Sequence, residues 1–413
     1  MTRSRGTWTA AAAAGVLLGI SFYVLVRWLE RGQLSDVPVY VHYSQLMRGG
    51  AVPYRDFRFE YPPAALPAML LPSYLPWSFA TSFAVLMGVC GAGCVAAAAS
   101  MLRAVGARAE RTWMSLLAIG VSPLLLGSLF DTRFDLWPTL LAVGGLAALV
   151  RERSVLSGAL LGLGFAAKLW PAVLLPIAVL HLWRRRGRAG VLGCLVAFVV
   201  VAAACFLPFA VIAPGGLHAM FADQLDRPLQ VESLGAAVLM AAQHLGMHQL
   251  STVTSHGAQA LSGHGAGLAA DLSTACEIVA VLGIWIAFAR RRVAEGEATL
   301  LAAAASVAAL VAFDRVLSPQ YLVWLVPFVL IVRGGNGIAA GGLLFLALGL
   351  TQTWFPGSYW SLALDHASPW SWYLLARDLA LVALAGVLVL ELSRGRGFAG
   401  RTAGWRDARR AAA

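Results

Sequence analysis

The sequence predicts an all-α polytopic membrane protein with about 12 transmembrane helices, within a range of about 10–13. Hydrophobic residues make up 59% of the 413-residue chain and charged residues only 12%, about half the roughly 25% of a soluble protein. The mean hydropathy is +0.74. Because so little polar surface cannot cover a water-soluble globule of this size, a soluble enzyme, a disordered regulator and a coiled coil are excluded. We predict a single integral membrane domain over residues 1–413.

Uncharged apolar runs mark the predicted helices, because crossing about 30 Å of hydrocarbon takes about 20 residues. In chain order they cover 8–26, 78–102, 112–130, 136–150, 155–167, 169–183, 189–212, 278–289, 298–313, 316–332, 334–350 and 379–390. The first run follows two arginines like a signal sequence, but it is long and no small-residue cleavage site follows it. We therefore predict an uncleaved signal anchor.

The hairpin at 155–183 is too short for two full crossings, since each leg reaches only about 21 Å at 1.5 Å per residue. Lys168, the single lysine of the chain, lies near its apex. An ionisable group at that depth belongs in a cavity rather than in lipid, and it indicates a functional site.

Arginine clusters predict the orientation, because cationic turns remain cytoplasmic. With both termini inside (N-in, C-in), 21 of the 31 cations face the cytoplasm, whereas the reverse topology leaves 10 there. This orientation gives two long extracytoplasmic loops, 30–77 with juxtamembrane helices and 213–271, and a basic cytoplasmic tail, 393–413. Most acidic residues fall on the outer side, so we expect the chemistry there.

Several functional classes are disfavoured. Topology explains the net charge of +11, and no nucleic-acid-binding module is visible. The sequence has no P-loop, Rossmann glycine pattern, HExxH or Asp-x-Asp pair, so we predict neither a cofactor nor a soluble nucleotide-sugar donor. The five cysteines lie in apolar runs, and four histidines of the second outer loop, His244, His248, His256 and His264, have no acidic residue among them, so we predict no metal site.

Six motifs carry a resemblance to a known family. They are Ser-Asp-Val-Pro-Val-Tyr at 35–40, Gly-Gly-Ala-Val-Pro-Tyr-Arg-Asp at 49–56, Phe-Glu-Tyr-Pro-Pro at 59–63, Arg-Phe-Asp-Leu-Trp-Pro at 133–138, the glycine run to lysine and proline at 157–171, and Ser-Pro-Gln-Tyr-Leu-Val-Trp at 318–324. In order and placement they resemble the C-type glycosyltransferase superfamily, specifically glycosyltransferase family 87, the polyprenyl-phosphate-mannose-dependent α-mannosyltransferases of bacteria. The resemblance spans about residues 30–330, with nothing recognisable at 213–271.

The resemblance implies an inverting, metal-independent hexosyltransferase of the inner (plasma) membrane. It would move mannose or a related sugar from a polyprenyl-phosphate donor to a cell-envelope glycolipid or glycan on the extracytoplasmic side. Its partners would be that donor, that acceptor and the lipid bilayer, without nucleic acid; the lipid-linked sugar is a substrate, and no cofactor is expected. The alternative is a twelve-helix secondary transporter or lipid-linked sugar flippase, although the paired repeats usual in such transporters are not evident.

Asp36 is the predicted catalytic base, because the superfamily places its catalytic acidic residue just after the first helix. Asp36 can also be a solvated cap, and Asp56 or Glu60 could equally serve the acceptor. For the phosphate the candidates are the cations on the outer side: Lys168, Arg133, Arg58 and Arg315. The simpler interpretation pairs Arg133 with Asp131 or Asp135, and Arg315 with Asp314, to neutralise helix ends. Further predicted substrate-binding residues are Tyr40, Glu60, Tyr61, Asp135, Gln320 and Tyr321.

Overall fold

The computed structural model describes residues 2–29, 34–255, 257–291 and 296–394, and most of these residues are helical. The first half holds α1 (Thr2–Val24, extended by a π-turn at Leu25–Leu29), α2 (Val37–Arg48), α3 (Leu66–Leu70), α4 (Phe79–Ala104), α5 (Ala109–Leu126), α6 (Leu136–Leu149), α7 (Ser154–Ala167) and α8 (Leu175–Ile212). Nearly all of the predicted basic tail, 393–413, lies outside the described residues.

The second half begins with two helices and a β-hairpin. It holds α9 (Pro214–Leu225), α10 (Leu234–His244), β1 (Leu250–Ser255), β2 (Ala258–Gly263), α11 (Ala266–Ala289), α12 (Gly296–Phe313), α13 (Leu322–Val329), α14 (Gly334–Trp354), α15 (Tyr359–Asp365) and α16 (Trp370–Arg394). Short 3-10 turns precede α3, α8 and α13.

Eight helical segments among the described residues are long and apolar enough to cross a membrane. Shorter apolar helices lie at Leu136–Leu149, Ser154–Ala167, Leu234–His244 and Pro319–Val329. The prediction of a helical, multi-pass membrane protein is thus confirmed. The exact number of twelve crossings, the N-in/C-in orientation and the single domain stay predictions.

A break at Gly187 divides α8 into two helices. Gly187 has a φ of 62°, a backbone conformation that glycine adopts without steric cost. A Cβ added to Gly158 or Gly162 of α7 would lie 2.0 or 2.5 Å from the carbonyl oxygens of Cys194 and Phe198, respectively. This register runs parallel, so the chain reverses at Gly187 and its second helix packs along α7. The predicted short hairpin at 155–183 is therefore α7 followed by the first part of α8.

The helices differ in what surrounds them. Helix α12 is built largely of alanine and is buried on nearly every side, packed among α11, α13 and α16. By contrast, apolar residues of the second part of α8 are exposed, for example Val199 at 60% and Val211 at 72%. Such a continuous apolar surface suits contact with lipid rather than water. The bundle thus has an alanine-rich centre and a lipid-facing periphery.

The two ends of the bundle have different chemistry. At one end, turns are tied by arginines: Arg111 contacts Glu297 at 2.5 Å, Arg185 contacts Glu152 at 2.5 Å, and Arg291 donates to the carbonyl of Leu392. The opposite end, which we call the loop end, comprises 34–65, 127–135, 168–174, 213–255, 257–265, 314–321 and 355–369. These segments lie at the ends of the helices opposite the arginine-tied turns, and they surround the cavities of the protein.

The β-hairpin at the loop end was not predicted. Strands β1 and β2 pair antiparallel, with Ser255 opposite Ala258. The backbone of 229–231 adds to β2, since Leu261 N–H donates to Leu229 and Val231 N–H donates to Gln259. This small sheet therefore ties the segment 229–231 to the hairpin.

Candidate active site

A cavity of about 390 Å³ opens at the loop end, and we call it the catalytic cavity. It is lined by seven of the eleven predicted site residues: Asp36, Glu60, Tyr61, Arg133, Lys168, Gln320 and Tyr321. Two more, Tyr40 and Asp135, contact these residues from behind. Segments that are up to three hundred residues apart in sequence thus meet in one place.

Asp36 stands at the start of α2, where its carbonyl oxygen accepts hydrogen bonds from Val39 N and Tyr40 N. Its Oδ1 lies 2.6 Å from an Arg133 guanidinium nitrogen, and its Oδ2 accepts a longer bond of 3.4 Å from the Tyr40 hydroxyl. The side chain remains 34% exposed, on the cavity side. Withdrawal from water raises the pKa of Asp36, and the positive charges of Arg133 and Lys168 counter this increase in part. A carboxylate with a raised pKa is a stronger base.

Arg133 pairs with Asp36 rather than with Asp131 or Asp135, the partners considered from the sequence. Its side chain is almost wholly buried, and it also donates to the Leu34 carbonyl at 3.3 Å. A buried arginine needs a partner or a ligand anion, because an uncompensated buried charge is costly. Arg133 therefore links Asp36 to the cationic side of the cavity.

Lys168 extends into the cavity from the turn between α7 and α8. Its Nζ donates to Asp135 Oδ1 at 2.7 Å, and the same oxygen accepts from Trp324 Nε1 at 2.7 Å. The ammonium group lies 4.8 Å from the Tyr321 ring centre and 5.1 Å from that of Trp324. Ion pairing and cation–π contacts together hold the ammonium in a mostly apolar setting.

The Tyr-Pro-Pro segment is held from both sides. The Tyr54 hydroxyl donates to the Tyr61 carbonyl at 2.5 Å, and the Trp137 indole N–H donates to the Ala64 carbonyl at 2.9 Å. Tyr61 packs edge-on against Phe134 with ring centres 4.9 Å apart. The loop after α2 is thus fixed against α6, which positions Glu60 at the cavity wall.

Glu60 and Asp56, the two alternative acids, have different surroundings. Glu60 lines the cavity, where burial raises its pKa against the positive charges of Arg227 and Arg58. Asp56 is bound by Arg55 at 2.8 Å and does not line the cavity. The Arg55 guanidinium, with the Val52 N–H, lowers the pKa of Asp56 to about 2. Asp56 is accordingly a poor base, while Glu60 remains a candidate for acceptor contact.

Arg58 and Arg315 lie outside the lining of the catalytic cavity. Arg58 is 65% exposed and pairs with Asp223 at 2.5 Å. Arg315 donates to the Leu225 carbonyl rather than pairing with Asp314. Phosphate binding by these two arginines stays a prediction, and the cations that line the cavity are Arg133, Lys168 and Arg227.

Two charged lining residues were not singled out from the sequence. Arg227 lines the cavity, and its buried Nε has no hydrogen-bond partner within the described part of the chain. Glu232 is 2% exposed, and burial raises its pKa to about 7, while its carbonyl accepts from Arg377 at 2.6 Å. The only signal for them was the presence of charge in a chain where 12% of residues carry one.

Metal-binding clusters of three or more His, Cys, Asp or Glu residues are not found among the described residues. His244, for example, bonds to the Ser371 hydroxyl at 2.7 Å. The expected independence from metals and cofactors stays a prediction.

The fold and the family match that follow define a class of protein: a C-type, integral-membrane glycosyltransferase. The fold is similar to the crystal structure of ArnT from Cupriavidus metallidurans bound to undecaprenyl phosphate, with a TM-score of 0.50 and 15% sequence identity. That match covers 94% of this chain and 77% of the other. A sequence profile of glycosyltransferase family 87 matches residues 59–319, more than half of the protein. The chain belongs to glycosyltransferase family 87, as the motifs indicated. Comparison with curated proteins gives no significant match.

Proposed function

We propose that this protein is an inverting glycosyltransferase that moves mannose, or a related sugar, from a polyprenyl-phosphate donor to a cell-envelope glycolipid or glycan. The observation that carries the proposal is a single cavity that holds the Asp36–Arg133 pair beside Lys168 and Arg227. One carboxylate next to several cations is what direct sugar transfer from a lipid phosphate requires. Support also comes from the similar fold of ArnT, whose crystal structure contains undecaprenyl phosphate.

The reaction is a single displacement. Asp36 accepts the proton of the acceptor hydroxyl, whose oxygen forms the new bond to the anomeric carbon. The bond from that carbon to the phosphate oxygen breaks, and its electrons leave with the polyprenyl phosphate. Attack from the face opposite the leaving group inverts the configuration, so a β-linked donor gives an α-linked product.

The leaving phosphate gains negative charge during this step, and the cations of the cavity stabilise it. One positive charge about 4 Å away is worth up to about 4 kcal/mol at an effective dielectric of 20, which is about a thousandfold in rate. Lys168 is held for this role by Asp135. Arg227 has hydrogen-bonding capacity left for a ligand, since its Nε is unpartnered in the described structure.

Polar side chains on the remaining walls suit the sugar hydroxyls. Gln320 and Tyr321 face the cavity from the segment before α13, and Glu232 faces it from the segment before α10. Gln230 is held by the Ser318 hydroxyl at 2.7 Å, so the 230–232 segment is fixed. We assign sugar binding to these groups together with Tyr61 and Glu60.

The predicted location is the inner (plasma) membrane, with the loop end on the extracytoplasmic side. The arginine-tied turns at the other end of the bundle agree with a cytoplasmic position for that end. The donor phosphate would then lie at the outer interface, with its prenyl chain in the bilayer.

Transfer from radiolabelled polyprenyl-phosphate mannose tests the proposal in membranes that express wild-type protein, Asp36→Asn or Asp56→Asn at matched levels. We expect wild type and Asp56→Asn to transfer mannose, and Asp36→Asn to lose about 100- to 10,000-fold, the usual contribution of a general base. Asp56→Asn is the matched control because this exposed acid lies in the same loop and outside the cavity.

Two results would count against the proposal. If Asp36→Asn stays active, Asp36 is not the base, and Glu60 becomes the candidate. If wild type transfers nothing from any polyprenyl-phosphate sugar, the transporter or flippase interpretation moves ahead.

A further inference from the structure

A second cavity of about 410 Å³ adjoins the catalytic cavity, and we call it the polar chamber. Four residues line only this chamber: Arg58, Asp223, Thr254 and Ser255. Four others line both cavities: Glu60, Gln224, Arg227 and Gly257. The two spaces therefore adjoin along these four residues.

The polar chamber differs from the catalytic cavity in its walls. Among the described residues, every one that lines it carries a polar or charged side chain, apart from Gly257. The catalytic cavity also has apolar side chains, including Leu34, Val39 and Leu169. A prenyl chain gains nothing from a wholly polar wall, whereas the hydroxyls of a sugar find donors and acceptors there. The chamber thus suits the hydrophilic substrate and not the lipid carrier.

The walls of the chamber come from three segments that are tied to one another. Arg58 donates twice to one Asp223 oxygen, at 3.1 and 2.5 Å. Gln224 Nε2 donates to the Glu60 carbonyl at 3.1 Å, and a Cβ added at Gly257 would contact the Glu60 carboxylate at 3.4 Å. These contacts join the first loop, α9 and the β-hairpin around one space. A site formed in advance loses less entropy when a ligand binds.

We infer that the polar chamber binds the acceptor, and that the acceptor is an oligosaccharide or glycoconjugate with at least two sugar units. The terminal sugar places its reacting hydroxyl beside Asp36 in the catalytic cavity, and the preceding sugar occupies the polar chamber. The volume falls within the usual range of about 300–1,000 Å³ for small-molecule sites. This inference rests on the proposed glycosyl transfer. It narrows the acceptor to molecules that carry at least two sugar units.

The test compares two synthetic acceptors, octyl α-mannoside and octyl α-mannobioside, with purified protein in lipid nanodiscs. Wild-type protein should bind the mannobioside at least about tenfold more tightly, since the second sugar adds several hydrogen bonds. Intrinsic tryptophan fluorescence measures this binding without the donor. Equal affinities for the two probes overturn the inference.

Substitutions then locate the effect in the chamber. Thr254→Val removes the hydroxyl of a residue that lines the chamber, a hydroxyl that donates to Gln259 Oε1 at 3.2 Å. Arg58→Gln with Asp223→Asn removes the ion pair without leaving a lone charge. Each should reduce the preference for the mannobioside by about threefold or more. Ser251→Ala is the control, because Ser251 is exposed on the same strand and does not line the chamber. A preference that survives both chamber variants, or falls equally in the control, contradicts the inference.

The donor assay separates failure of the inference from failure of the proposed function. If wild type transfers mannose to both acceptors with the same KM, the enzyme is a glycosyltransferase without an acceptor site in the chamber. If the mannobioside binds selectively but no mannose is transferred, the chamber assignment stands and the donor assignment fails.

Discussion

Replacing Arg133 with glutamine should move the acidic limb of the pH–rate profile towards higher pH. The Arg133 guanidinium lies 2.6 Å from the Asp36 carboxylate and opposes the rise that burial causes in its pKa. Once that charge is removed, the pKa of Asp36 rises further. Because the base must be deprotonated to accept the acceptor proton, activity then starts to fall at a higher pH as the solution is acidified.

The size of the shift follows from the geometry. A contact of 2.6 Å between nitrogen and oxygen puts the charge centres about 4 Å apart, which is worth about 1 kcal/mol in water and about 4 at a dielectric of 20. These energies correspond to about 0.7 to 3 pH units. The Asp36 side chain is 34% exposed, so solvent screening favours the lower part of the range. We expect a shift of about one unit.

The assay is kcat/KM for mannose transfer from about pH 4 to 9, which reports the ionisation of the free enzyme. The maximum rate should also fall, because Arg133 lines the cavity beside Lys168 and Arg227, the cations proposed to stabilise the phosphate. The pH at which the rate begins to fall is measured independently of that maximum. Arg185→Gln is the control, since it breaks an exposed arginine–glutamate pair at the other end of the bundle. An acidic limb that stays in place, or moves to lower pH, refutes the assignment of Asp36 as the base.

Three further predictions concern stability. Lys168→Met should destabilise the protein by about 3–5 kcal/mol, because it leaves Asp135 buried without its counterion; adding Asp135→Asn should recover thermal stability but not transfer activity. Burial raises the pKa of Glu232 to about 7, so its folded form binds a proton more readily than its unfolded form. The free energy of unfolding should then fall by up to about 3 kcal/mol as the pH rises from about 4.5 to 7. Glu232→Gln should show a smaller fall in melting temperature over this range. An identical fall in both proteins would contradict the raised pKa of Glu232. Gly158→Ala should lower the yield of folded protein, because it introduces a Cβ 2.0 Å from the α8 backbone. Gly19→Ala should not, because nothing lies within 4 Å of its added Cβ. The monodisperse fraction in gel filtration measures the folded yield of both variants.

Local sequence determined the class of this protein and much of its site. Uncharged runs predicted membrane helices because the length of an apolar segment alone decides whether it can span hydrocarbon. Short motifs near helix ends predicted the family and nine residues that meet at the catalytic cavity, among them Asp36, Lys168 and Tyr321. Such motifs are readable because each lies within a few residues of chain.

The tertiary structure decided which of these groups meet. Arg133 pairs with Asp36, although Asp131 and Asp135 are nearer in sequence, because the turn before α6 aims its side chain towards α2. Arg227 and Glu232 enter the cavity from a loop with no recognisable motif, and Arg315 turns away to the Leu225 carbonyl. These outcomes depend on how helices and loops pack across long sequence separations. Hydropathy and spacing record which segments enter the membrane, but the directions of side chains at the helix ends are set only when the bundle closes.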